Sequence, residues 1–197
     1  MSGDAGPPVP EAPLERTDAG LVPAGAGWFV LNARDARWVH RPGMGHGLPL
    51  TGWTAQEAET WFPMLGVAIR VFGPGEPSTV PHWEADAEDF RVLHGEAVLI
   101  IEGQERRLRR WDFVHCPPGT RHAFAGAGDG PCVLLCASSR VHQAGDRWGA
   151  YEDDPAARRH GAAPPRDTDD SREAYAAFPP AAPVPYPGGL LPEDGAP

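Results

Sequence analysis

Lysine is missing from this chain: all 17 of its basic residues are arginine, against 27 Asp and Glu, and the formal net charge is -10. A net-acidic chain without a basic stripe argues against nucleic acid as a partner. Cysteine is nearly absent. Cys116, Cys132 and Cys136 are odd in number, match no zinc spacing and sit in apolar segments. They read as small buried residues of a reducing compartment. Long apolar runs are also lacking. None approaches the ~18 residues of a membrane span, so no membrane is expected as a partner. The start, "MSGDAGPPVPEAPLERTD", has neither a basic n-region nor an apolar h-region, so no signal peptide is expected. These absences lead to the expectation of a soluble, cytoplasmic protein.

What is abundant is glycine and proline, 24 of each in 197 residues. That composition favours turns, short strands and irregular tails over long helices. Four regions follow from the pattern. Residues 1–26, rich in Pro, Gly and Ala, read as a disordered tail. Residues 27–61 hold two short β-like runs in "GWFVLNARDARWVH" and a short helix in "TAQEAETWF". Thr54 caps that helix and Glu57, three residues on, completes a capping box. Residues 62–140 carry the densest β signal: "MLGVAIRVFGPGE", "EDFRVLHGEAVLIIEGQERRL", "DFVHC", "RHAFAG" and "CVLLCAS". Short strands divided by turn signals predict an all-β sandwich or barrel. Residues 141–197 form a C-terminal extension, partly helical and then Pro-rich, whose Tyr186, Leu190 and Leu191 are suited to packing on the core or on a partner subunit.

One stretch does not fit a plain barrel. "PHWEADAEDF", residues 81–90, places one His and four carboxylates immediately before apolar strand residues. Strand side chains alternate faces with period two. His82, Glu84 and Glu88 share parity with Phe90 and Val92, so they are predicted to face inward. An inward cluster of carboxylates and imidazole is costly unless a partner compensates it, and a divalent cation would do so. In "CPPGTRHAF", His122 shares parity with Phe124 and would join them. Two His and one carboxylate with open positions is the facial arrangement suited to iron(II) and related metals.

At this point the sequence resembles the cupin superfamily. The first cupin motif, G-x5-H-x-H-x3,4-E-x6-G, is matched by Gly75, His82, Trp83, Glu84, Glu88 and Gly95. The second, G-x5-P-x-G-x2-H-x3-N, is matched by Trp111, Pro117, Gly119, His122 and Gly126. The resemblance covers about residues 62–137. It implies a jelly-roll β-barrel of two antiparallel sheets with short helices, and a metal between the sheets. There are departures. One extra residue separates Gly75 from His82. Glu84 stands where the second His belongs, Trp111 where the first Gly of the second motif belongs, and Gly126 where its final Asn belongs. The last two are expected to alter only turns. Glu84 alters the chemistry: it is either a further ligand beside His82, Glu88 and His122, or a general base, or a carboxylate orienting His82.

Other residues have plainer readings. His115, before Cys116, is expected to be a hydrogen-bonded core residue. Trp83 and Trp111 are expected to pack the barrel, Asp86 and Asp89 to form a solvated face, and His94 to sit in a surface turn. His40, His46, His142 and His160 have no partners recognisable by spacing. The functional expectation is an enzyme holding one divalent metal, with iron(II), manganese, zinc or nickel all compatible, and acting on a small-molecule substrate. Oxygenase chemistry is favoured for the open coordination positions, with isomerase and cyclase or lyase next. The alternative is a non-catalytic module binding a sugar or metabolite, with a structural metal or none. The resemblance also implies a homodimer, in which "GWFVL" could extend a partner's sheet.

Overall fold

The computed structural model describes residues 8–52, 54–141 and 148–193. His142 lies outside them. In chain order the elements are β1 (Leu14–Thr17), β2 (Gly20–Pro23), β3 (Trp38–His40), β4 (His46–Pro49), α1 (Ala55–Trp61), β5 (Leu65–Phe72), β6 (His82–Glu84), β7 (Glu88–His94), β8 (Glu96–Ile101), β9 (Gln104–Arg109), β10 (Phe113–Cys116), β11 (His122–Ala127), β12 (Cys132–Ser139), β13 (Gly149–Tyr151), α2 (Pro155–Arg159), α3 (Ser171–Ala174) and β14 (Ala182–Val184). The chain is mostly β, as its composition predicts.

Two antiparallel sheets face each other. The larger runs in the order β10-β7-β12-β5-β4-β3-β14, the smaller β13-β6-β11-β8-β9. Period-two alternation explains the core between them. Phe72, Phe90, Val92 and Leu134 point inward from the larger sheet and meet Ala97, Leu99 and Phe124 from the smaller one. The outward residues are covered too. Trp38, Leu48, Val71 and Val133 form a second cluster on the far face of the larger sheet, closed by Tyr186, Leu190 and Leu191 of the C-terminal segment. Outward residues of β8 and β11, Ile100 and Ala123, rest against Ala156 and Ala157 of α2.

The chain passes from β7 to β8, and so from one sheet to the other, at Gly95. Its φ is +70°, and a β-carbon there would stand 2.2 Å from the Pro131 carbonyl oxygen, so the crossing requires glycine. The helix α1 begins with the expected capping box between Thr54 and Glu57, and α3 is capped by Asp170. No helix among the described residues is long and apolar enough to cross a membrane.

Several expectations are corrected. The described part of the proposed disordered tail contains the β1/β2 hairpin, turned by Thr17, whose hydroxyl donates to the Gly20 carbonyl. "GWFVL" is not a strand. Only Trp28 makes a bridge, to Glu11 of the same chain, while Phe29 packs edge-on against Phe62. Gly126 lies not in a turn but within β11. The backbone at Gly73 crosses so closely that a β-carbon on Gly126 would stand 1.9 Å from its carbonyl oxygen. Trp111 does lie in a turn but does not pack the barrel: it is 57% exposed, with φ +78°. The guanidinium groups of Arg91 and Arg110 lie over its ring, at 5.3 Å and 5.0 Å from the centroid.

Candidate metal centre

The four inward-facing polar residues come from both sheets. His82 and His122 are direct neighbours across β6 and β11 of the smaller sheet, and their rings lie 4.7 Å apart. Glu88 opens β7 of the opposite sheet, and its Oε2 is 3.3 Å from His122 Nε2. One ligand atom from each of His82, Glu88 and His122 falls within 4.8 Å of the others. The parity argument therefore holds although residues 85–87 carry the chain from one sheet to the other.

The imidazoles are oriented from behind. His82 Nδ1 lies 2.8 Å from the Val80 carbonyl oxygen and His122 Nδ1 lies 3.0 Å from that of Thr120. A carbonyl only accepts, so each Nδ1 carries the proton and each Nε2 presents a lone pair. Burial, and for His82 also the neighbouring His122, lowers both imidazole pKa values, that of His82 to about 3. Both rings are thus neutral near pH 7. Burial raises Glu88 to about 8, with Glu84 adding to it, and raises Glu84 to about 7, with Asp86 adding to it. Two neutral imidazoles with fixed tautomers beside a carboxyl group whose anionic form burial disfavours form a donor set for a divalent cation. The residues present therefore fit such an ion.

Glu84 stands slightly apart. Its Oε1 is 3.8 Å from His82 Nε2, and it does not belong to the three-residue cluster. It lines the same cavity of about 190 Å³, together with Arg70, Arg140 and the cluster itself. Arg140 is fixed there by donating to the carbonyls of Phe62 and Thr51 at 2.9 Å and 2.8 Å.

Other candidates are sorted by geometry. His115 faces outward because Val114 and Cys116, not it, have inward parity. It is exposed and paired with Asp89 at 2.6 Å, so the expected core role is corrected. Asp86 is corrected in the other direction. It is buried and accepts from the Ser139 hydroxyl at 2.7 Å and the Val141 amide at 2.9 Å. Trp83 donates its indole N–H to Glu152. His40 and His46, without recognisable partners in the sequence, stack on each other at 4.4 Å, and His160 lies 3.3 Å from Glu105. Sequence reasoning missed Arg70 and Arg140. A single Arg in an apolar strand, as in "VAIRVF", was the available signal for the first.

A jelly-roll barrel with two His and one Glu converging between its sheets has an internal cluster of a kind that could hold a metal ion. Residues 68–138 match the family model of the cupin domain. A curated relative, an uncharacterized protein of Aquifex aeolicus, is 32% identical over 53 residues, which are 26% of this chain and 44% of that protein. The chain thus spans less than half the length of that relative. Among solved structures, it is similar to a cupin-like protein of Thermotoga maritima (24% identity, 56% of this chain and 78% of that one, TM-score 0.43). It is also similar to the polyketide cyclase RemF of Streptomyces resistomycificus (16%, 51% and 67%, TM-score 0.42). A third is a sugar phosphate isomerase of Silicibacter pomeroyi (20%, 63% and 74%, TM-score 0.42).

Proposed function

We propose that this cupin is a metal-dependent enzyme that moves a proton within a small polar molecule. His82, Glu88 and His122 hold one divalent cation, and Glu84 serves as the proton carrier. The observation that supports this reading is the pair of anchored imidazoles. Each Nδ1 is committed to a backbone carbonyl, His122 Nε2 faces Glu88 at 3.3 Å, and the three residues offer ligand atoms within 4.8 Å of one another. A divalent ion held there would supply Lewis acidity toward a substrate oxygen. Glu84 lines the same cavity outside the ligand cluster. From that position its carboxylate takes a proton from the carbon or hydroxyl next to the polarised oxygen and returns it to another atom of the same molecule. Atoms balance without a co-reactant, as in an isomerisation or a cyclisation. Phe90, Phe124 and Leu134 form an apolar part of the cavity wall.

Oxygenation is the second reading, favoured by the same two-His, one-carboxylate set when the ion is iron(II). The test reconstitutes the full chain separately with manganese and with iron(II). It follows deuterium uptake from D2O into a panel of small hydroxy and keto acids, and oxygen consumption with the iron form. The account expects deuterium uptake that falls roughly 10²–10⁴-fold in Glu84→Gln while bound metal is unchanged. Oxygen consumption without exchange would replace it with the second reading. Ligand binding with neither reaction would make the chain a binding module.

A further inference from the structure

A second cavity of about 300 Å³ adjoins the first and shares Pro49, Ala68, Arg70 and Ser78 with it. Its composition differs sharply. The first cavity holds Glu84 and Glu88 beside Arg70 and Arg140, whereas the second contains Arg41, Arg70 and Tyr175 and no Asp or Glu among its described lining residues.

Two features place both guanidinium groups in this second space. Arg70 on β5 pairs with Gly47 on β4, and its Nη1 lies 3.5 Å from where a Gly47 β-carbon would be. The side chain therefore extends over the room that glycine leaves. The Arg41 guanidinium lies 4.7 Å from the centre of the Tyr175 ring, and its Nη1 donates to the Pro179 carbonyl at 3.2 Å. Arg70 makes no hydrogen bond or ion pair among the described residues, and Arg41 makes no ion pair. Both act on the same groups: each lowers the pKa of the Tyr175 and Tyr151 phenols against the upward push of burial. The Tyr175 hydroxyl oxygen accepts from the Val80 amide, on the segment whose carbonyl anchors His82.

Two arginines that make no ion pair among the described residues and line one concave site, in a chain with net charge -10, form a local positive well. A guanidinium is built to hold a planar or tetrahedral oxyanion with paired N–H donors. We propose that the second cavity seats the acidic group, carboxylate or phosphate, of the small molecule whose reacting end lies at His82, Glu88 and His122. This rests on the metal-enzyme reading above and narrows it to anionic substrates, with Arg70 and Arg41 as the residues that determine specificity. Arg70, common to both cavities, also balances the charge of Glu88, whose pKa it lowers against burial.

The test titrates the metal-loaded full chain with inorganic phosphate and, separately, with acetate, by calorimetry. It repeats both titrations after metal removal by dialysis. Expected is saturable one-to-one binding of at least one ion, retained without metal. It weakens roughly tenfold or more in Arg70→Gln and in Arg41→Gln and is largely restored in Arg70→Lys. The tighter-binding ion identifies the acidic group. Circular dichroism of each variant checks that the barrel persists. If neither ion binds saturably, if binding is indifferent to both arginines, or if it disappears with the metal, the proposal is overturned. Elemental analysis of the same samples tests the metal reading separately, so anion binding without metal would leave this site standing and remove the reading it extends.

Discussion

His122 Nε2 and Glu88 Oε2 stand 3.3 Å apart although their strands, β11 and β7, belong to opposite sheets. An ion held by His122 and Glu88 would join the two halves of the barrel. Ligands that bind only the folded chain stabilise it by mass action. Manganese or zinc at about a hundred times its dissociation constant should therefore stabilise the chain by about 2.7 kcal/mol, and chelation should reverse this. Thermal unfolding with and without the ion checks it. The increment should vanish in His82→Ala and in His122→Ala, each of which keeps the barrel's strand signal.

Asp86 should matter to the fold more than its acidic surroundings suggest. Its buried carboxylate ties Ser139 and the Val141 amide to the turn between β6 and β7. Asp86→Ala leaves both donors unpaired and is expected to cost about 1–3 kcal/mol. Urea denaturation measures this. A change within experimental error would show that the tie does not hold the turn.

Trp111 occupies a left-handed backbone position, φ +78°, compensated by the cations over its ring. Trp111→Ala keeps the backbone strain and loses the cation–π contacts, whereas Trp111→Gly relieves the strain while losing the same contacts. The glycine variant should be more stable than the alanine variant by about 1–2 kcal/mol. Equal stabilities would show that the turn is not strained.

The cysteines should be chemically silent. Burial pushes the thiols of Cys116, Cys132 and Cys136 up to about 12. A thiol reagent at pH 8 should label none of the three in the folded chain and all of them in urea. The fold favours the neutral thiol. Its stabilising contribution is therefore complete below the unfolded value near 9 and is lost as pH rises through about 12. Stability should fall with increasing pH above about 8.5, less steeply in Cys132→Ala.

The sequence made the barrel and the cluster legible for physical reasons. Period two ties the faces of His82, Glu88 and His122 to those of Phe90, Val92 and Phe124, and that relation survives the change of sheet at residues 85–87. What stayed hidden depends on contacts distant in the chain. Asp86 is buried because Ser139 and Val141 come back to it from β12 and beyond. Gly126 is obligatory because the segment at Gly73 crosses it. The β1/β2 hairpin lies where Pro, Gly and Ala predicted disorder, for its pairing rather than its composition orders it. Arg70 left only the signal of a lone Arg in an apolar strand, and the room it occupies depends on its pairing with Gly47.

The most direct measurement is elemental analysis of the full chain, purified without chelator or affinity metal, beside Glu88→Ala. The account predicts about one equivalent of a divalent metal in the wild type and its loss in the variant, with the fold intact in both. No metal in the wild type after reconstitution, or equal metal in the two proteins, would contradict a centre formed by His82, Glu88 and His122.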